Sequence, residues 1–249
     1  MGTRFDVILR GADEQHLEAV AVAVCEEIIR LDGALSRFNP GSEIARVNRE
    51  ARTKAVRIDR EIFALLERCE HGRQHTGGYF DVTATSGGAG FELNAERCEV
   101  RFTKPDAVID LGAIGKGYAL DCGREILLHY RVTDGLLQGG TSSVLAIGDS
   151  EWLLDVRHPL KPEAVVQRIV LKNRGFSCSA VRHPDHSQSD LVNPHSGEML
   201  NGDDACVVLA ESAAEAEIFS TALLAMGREK SKQQIENATM QVFWIDATF

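Results

Sequence analysis

The sequence predicts an α+β (mixed α/β) fold: one globular unit of mixed sheets flanked by helices, spanning residues 1–249. Short apolar or alternating runs of strand type interleave with amphipathic stretches of helical period, without the strict strand–helix–strand alternation of a doubly wound parallel sheet. Glycine-bearing turns separate these runs, and no repeat or long polar linker divides the chain. With 249 residues, 44% hydrophobic and 26% charged, there is enough apolar sequence to bury a sizeable core.

In chain order, residues 4–9 read as a first strand, and a polar break at Gly11 to Glu14 leads into a helix from about His16 to Leu31. Its apolar positions Leu17, Val20, Val24, Ile28 and Leu31 recur at spacings of three and four. A turn-rich loop containing Asn39, Pro40 and Gly41 follows, with Ser42 placed as the N-cap of a short helix running to Asn48. Asp59 caps a further helix bearing Ile62, Phe63, Leu66 and Cys69, which stops before Gly77 and Gly78. Residues 98–102 and 107–111 are predicted strands, and Gly117 to Tyr130 a helix. Leu136–Leu137 and Val144–Ile147 flank a glycine turn at Gly139–Gly140. Strands are expected at Trp152–Val156, Val165–Leu171, Ala205–Leu209 and Met240–Ile245, a helix at Ala213–Met226, and irregular polar chain over 172–203.

The net charge is −10, from 27 Lys and Arg against 37 Asp and Glu, and no segment concentrates basic residues with aromatics. A long polyanion would be repelled over most of such a surface, so nucleic acid is not an expected partner. Six cysteines are scattered with no CxxC pair, so zinc is not indicated; several lie among apolar residues and are expected as free thiols in a reducing compartment. No apolar run approaches the length of a membrane span. The expected location is cytoplasmic, with an exported form whose signal has been removed as the alternative.

Residues 107–121, AVIDLGAIGKGYALD, carry the most chemical information. An apolar run meets a glycine-punctuated turn and then a helix, the setting in which backbone N–H groups and the helix N-terminus receive phosphate. Asp110 stands at the end of the run, and Lys116 adds a cation beside the first helical turn. The spacing Gly112-x-x-Gly115-x-Gly117 is neither the GxGxxG of a Rossmann turn nor a GxxxxGK[ST] loop. On local pattern the segment suits a dinucleotide, a nucleotide or a metal-phosphate pair, and equally a plain turn in which Asp110 is a cap.

Separated segments select among these. Met1-Gly2-Thr3, Leu35-Ser36-Arg37-Phe38 with Ser42-Glu43 and Asn48, and Gly78-Tyr79-Phe80-Asp81-Val82-Thr83 are followed by Asp110 to Asp121 and Gly139-Gly140. Asn193-Pro194-His195-Ser196-Gly197 and Ser220-Thr221-Ala222-Leu223 with Met226-Gly227 complete the set. In this order, over nearly the whole chain, they resemble the ApbE-type flavin transferases, formerly labelled thiamine-biosynthesis lipoproteins. The resemblance implies an ApbE-like fold, FAD as substrate, Mg²⁺, and transfer of FMN to a Thr or Ser of an acceptor flavoprotein with release of AMP. By position, it implies FAD contacts at Met1, Phe38, Tyr79, Phe80, Asp81, Asp110, Lys116 and Val192. It implies metal donors at Ala113 (through its carbonyl), Glu217, Ser220 and Thr221.

Three departures bear on the metal and the acid–base group. Glu217 stands where the family carries Asp, so the carboxylate lies one methylene further out, a change to which Mg²⁺ with its strict octahedron is sensitive. Ser220 stands where a second Asp is frequent. Asp190 stands where the family has a His that is a candidate for acid or base work; a carboxylate at neutral pH accepts a proton but hardly donates one, so Asp190 is expected as the base for the acceptor hydroxyl or as an extra metal ligand, with His186 as the alternative for the His role. The alternative reading is a family member that hydrolyses FAD to FMN and AMP, or binds flavin without catalysis.

Overall fold

The computed structural model describes residues 2–182, 189, 191–236 and 239–246. A strand β1 (Phe5–Leu9) leads into the helices α1 (Glu14–Leu35) and α2 (Glu43–Glu50). Then come β2 (Val56–Arg57), α3 (Arg60–His75), β3 (Phe91–Asn94), β4 (Glu99–Phe102) and α4 (Gly115–His129). A run of strands follows: β5 (Gly135–Gly139), β6 (Ser143–Ile147), β7 (Trp152–His158), β8 (Lys161–Leu171), β9 (Gly175–Ala180) and β10 (Ala205–Ala210). The chain continues through α5 (Ala213–Met226), α6 (Arg228–Glu236) and β11 (Gln241–Ile245). No helix among the described residues is long and apolar enough to cross a membrane.

The main sheet has six strands in the order β1-β5-β6-β9-β10-β11, every neighbouring pair antiparallel. Both of its faces are covered, and the alternation of side chains along β10 shows how. Cys206, Val208 and Ala210 pack against Ala216, Leu223 and Leu224 of α5, while Ala205, Val207 and Leu209 face Val156, Ile169 and Leu171 of the β7–β8 hairpin. A strand buried on both faces loses its polar alternation, which is why β10 reads as an unbroken apolar run. The larger core lies between α1, α3, α4 and the sheet: Val20, Val24, Ile28, Leu31 and Leu35 of α1 meet Leu120 and Leu127 of α4 and Leu137 of β5. A small sheet in the order β2-β4-β3 borders this layer.

Capping follows the sequence. Ser42 accepts from the Ala45 N–H and Asp59 from the Glu61 N–H at 2.8 Å, while α5 spans the predicted residues, with Ser212 as its N-cap. All six cysteines are free, and burial pushes the Cys122 and Cys178 thiols up to about 11 and about 12. Cys25 is exposed on α1.

Two expectations are corrected. Residues 107–111 form no strand: the segment is largely buried, and its backbone pairs with the side chains of Asn48 and Ser86 and with the Val82 carbonyl. The Asn48 amide donates to the Ile109 carbonyl at 2.9 Å and accepts from the Ile109 N–H at 2.8 Å, doing the work of a neighbouring strand. Ser86 Oγ accepts from the Val108 N–H at 2.9 Å, and Asp110 N–H donates to the Val82 carbonyl at 2.7 Å. The stretch 172–203 is not wholly irregular either, because β9 sits inside the main sheet between β6 and β10. Its sequence, GFSCSA, lacks the β-branched residues that announce a strand. The small residues are required by close approach: a Cβ on Gly175 would lie 2.4 Å from the Ser212 backbone at the head of α5.

Candidate functional site

The glycine turn Gly112 to Gly117 lies between two helices that meet almost backbone to backbone. A Cβ on Gly117 would sit 2.5 Å from the Ala213 carbonyl oxygen, so only glycine lets the first turn of α4 reach the head of α5. Buried Asp121, one turn further along α4, accepts from the Ala213 N–H at 2.9 Å and the Ala214 N–H at 3.2 Å, and pairs with Arg68 at 3.1 Å. It thereby takes up two of the free donors at the head of α5.

Asp110 opens the turn. Its Oδ1 accepts from the Gly112 N–H at 3.0 Å, and Arg37 Nε lies 3.0 Å from Oδ2 as an ion pair. Arg37 is held there by the loop after α1, where Ser36 Oγ accepts from the Phe38 and Asn39 N–H groups and Ser42 Oγ donates to the Ser36 carbonyl. The same turn sends Phe38 outward, 80% exposed, with the Arg37 guanidinium 4.5 Å from its ring centroid.

The opposite wall comes from the segment after α3. Asp81 is spent on its own loop: Oδ1 accepts from the Thr83 N–H and hydroxyl at 2.7 and 2.6 Å, and Oδ2 from the Ala89 N–H at 2.5 Å. The Phe80 ring, 1% exposed, is part of the core. Tyr79 stays half-buried and packs at a tilt against His195, ring centroids 4.3 Å apart. His195 Nε2 donates to the Gly77 carbonyl at 3.0 Å, and Asn193, two residues before it, donates to the Ala225 carbonyl at the end of α5 at 3.2 Å.

These segments enclose a cavity of about 330 Å³. Its wall brings together Tyr79, Phe80, Asp81, Asp110, Ala113, Val192 and Thr221, seven of the positions selected from the sequence. Val192 is set by an antiparallel bridge to Met199. A larger cavity of about 570 Å³ shares Tyr79 but otherwise draws on the end of α3, the end of β10, α5, α6 and the chain near Met240, and contains none of the glycine-turn residues.

The remaining positions fall elsewhere. Phe38 is not in the wall. Lys116 lies on the first turn of α4, its Nζ 3.2 Å from Glu217 Oε1. Glu217, 3% exposed on α5, also accepts from the Gly117 N–H at 2.7 Å and the Ser143 hydroxyl at 2.5 Å. Ser220 is fully buried in a hydroxyl cluster, 2.9 Å from Ser177 Oγ and 2.8 Å from Ser179 Oγ. Ser179 in turn lies 3.3 Å from Thr221 Oγ1 at the cavity wall. Met1, His186 and Asp190 lie outside the described residues. Arg37, Asn48 and His195 are contributors that sequence reading quoted inside motifs without assigning a role. Their partners are 73, 61 and 118 residues away, and only the fold supplies them.

Fold and cavity define a mixed α+β protein whose candidate site lies at a glycine turn beside two abutting helices. The chain belongs to the ApbE family, which its sequence matches over residues 1–89 and 87–244. It is 23% identical over 286 aligned positions to the FAD:protein FMN transferase of Klebsiella pneumoniae (strain 342), covering 98% of this chain and 82% of that relative. Among solved structures it is similar to the flavin transferase ApbE of Vibrio cholerae, with a TM-score of 0.85 at 17% identity over 100% of this chain and 91% of the other. It is likewise similar to the ApbE protein of Thermotoga maritima, with a TM-score of 0.85 at 21% identity over 95% and 87% of the two chains.

Proposed function

We propose that this chain is an FAD:protein FMN transferase, moving FMN from FAD to a Thr or Ser hydroxyl of an acceptor flavoprotein with release of AMP. The observation that carries the reading is the convergence of Tyr79, Asp81, Asp110, Ala113, Val192 and Thr221 on one cavity in a member of the ApbE family.

In this reading the acceptor hydroxyl attacks the FMN-side phosphorus and the bond to the AMP oxygen breaks. The negative charge gathered on the phosphate oxygens is met by the Lys116 ammonium and the Arg37 guanidinium. Tyr79 and Val192 supply apolar wall for the ring systems. Asp190 is the proposed acceptor of the hydroxyl proton.

The donors proposed for Mg²⁺ fit less well. Ala113 and Thr221 face the cavity, but the Glu217 carboxylate is occupied by Gly117, Ser143 and Lys116, and Ser220 by its neighbouring hydroxyls. The described residues therefore offer the cavity no carboxylate from α5, and no step is assigned to a metal.

Incubating the chain with FAD and an acceptor flavoprotein fragment, with EDTA or a series of divalent metals, is expected to add one FMN mass to the fragment and release AMP. Neither product under any condition refutes the reading. AMP and free FMN without the covalent increment identify the hydrolytic alternative. FAD binding without AMP identifies a flavin-binding protein, the alternative that the occupied Glu217 favours.

A further inference from the structure

We infer that Glu217 is a positioning residue that locks Lys116 as the built-in cation of the glycine turn, and that it does not serve as a divalent-metal ligand in this chain. The inference deepens the FAD-handling reading above and rests on it only for the ligand that Lys116 meets.

Glu217 reaches from α5 to two other elements, α4 and β6. It takes one donor from the backbone of α4 at 2.7 Å, one from Ser143 of β6 at 2.5 Å, and the charge of Lys116 at 3.2 Å. A carboxylate offers about four lone-pair directions, and three of these are directed at partners inside the protein. One lone-pair direction remains, and an ion drawing on more of the carboxylate would take Glu217 from the Gly117 N–H or the Ser143 hydroxyl, both buried. An ion at Oε1 would also lie beside the Lys116 ammonium, which repels it. Glu is one methylene longer than Asp, and here its carboxylate spans to both α4 and β6. Gly117 is the other half of the device, because a side chain there would push α4 away from α5.

The ion pair fixes where the Lys116 charge sits before any ligand arrives. An anionic diphosphate then meets a cation already ordered at the first turn of α4, beside that helix's N-terminal N–H groups. Glu217 acts on the ligand only through Lys116.

The test is carried out first on the unmodified chain. Acetylation of Lys116 by a lysine-acylating reagent, read by peptide mass spectrometry, is expected to be slow and to change less than about twofold between EDTA and 10 mM Mg²⁺. A fivefold or greater rise in Mg²⁺ would show Glu217 leaving Lys116 for the ion and would overturn the inference. In Glu217→Gln, Lys116 acetylation is expected to rise at least fivefold, whereas Mn²⁺ binding read by electron paramagnetic resonance stays within twofold of wild type or is absent in both. A tenfold loss of Mn²⁺ affinity in the folded variant overturns the inference. FAD fluorescence titrations add the ligand: Glu217→Gln and Lys116→Gln are each expected to weaken FAD about tenfold, in EDTA and Mg²⁺ alike, and the double variant no further. If no variant, wild type included, binds FAD, the flavin reading fails, while the acetylation and Mn²⁺ results still decide the role of Glu217.

Discussion

Replacing Gly117 by Ala tests whether the contact between α4 and α5 is as close as the site requires. Inside a helix, Gly→Ala alone stabilises by about 1 kcal/mol, so propensity predicts a more stable protein. Packing predicts the reverse. The new Cβ would lie 2.5 Å from the Ala213 oxygen, 2.6 Å from its carbonyl carbon and 2.7 Å from Ala214 N, all backbone atoms that cannot rotate away. The head of α5 must retreat by roughly 1 Å to reach ordinary contact. That overpacking costs about 1–3 kcal/mol. The retreat also stretches the 2.9 and 3.2 Å caps from Asp121, worth about another 1 kcal/mol, and the Gly117–Glu217 bond. The net expectation is a loss of about 2 kcal/mol, a fall in the urea midpoint of roughly 0.7 M for a slope near 3 kcal/mol/M. Gly123→Ala is the internal control: its Cβ meets only the tips of Leu137 at 2.8 Å and Val24 at 3.1 Å, which can shift, so the helix-propensity gain offsets most of the cost. A Gly117→Ala protein at least as stable as wild type, or one less damaged than Gly123→Ala, would refute the reasoning.

Asn48→Ala removes both bonds to Ile109, leaving a buried N–H and carbonyl unpaired; stability is expected to drop by about 1–3 kcal/mol and the Ile109 amide to exchange faster, read by hydrogen-exchange mass spectrometry. Asp121→Ala uncaps α5 and strands Arg68, and a loss of about 2–4 kcal/mol is expected in urea unfolding. Burial holds the Cys122 thiol at about 11 against an ordinary 9.0, and the Tyr118 hydroxyl is raised by the same cause. The unfolded chain therefore releases its protons first, so this contribution is complete below pH 9 and lost as pH climbs from about 9 to 11. Urea midpoints under reductant should fall across that window, and less steeply in Cys122→Ala.

The fold was legible wherever local physics decides alone. The α1 stripe from Val20 to Leu31, the caps Ser42 and Asp59, and the span of α5 followed from period and capping chemistry, because each depends on residues within one or two turns. What escaped depends on distant partners. Residues 107–111 have a strand's apolar pattern, but the group completing their backbone is a side chain 61 residues earlier in sequence, on α2. Strand β9 lacks strand composition because its serines face Ser220 and Thr221 of α5, a demand that is visible only once the sheet and helix are stacked.

Single charged residues around the glycine turn are legible in the sequence, but their charge balance is not. Asp110, Lys116 and Glu217 all stand out as charged residues in or opposite a glycine turn, and each suggests a ligand contact when read singly. In the fold they form two internal pairs, Arg37–Asp110 at 3.0 Å and Lys116–Glu217 at 3.2 Å, one at the start of the turn and one at its end. In a chain of net charge −10, an unpaired cation cluster would draw carboxylates from the chain itself. Pairing each cation with a fixed carboxylate holds it in place while leaving the other faces of its donor group for a ligand. In the proposed reading, a diphosphate binding here shares the two cations with Asp110 and Glu217 instead of displacing them. Its affinity is therefore expected to depend on how well those carboxylates hold Arg37 and Lys116 in place, as well as on the cations themselves.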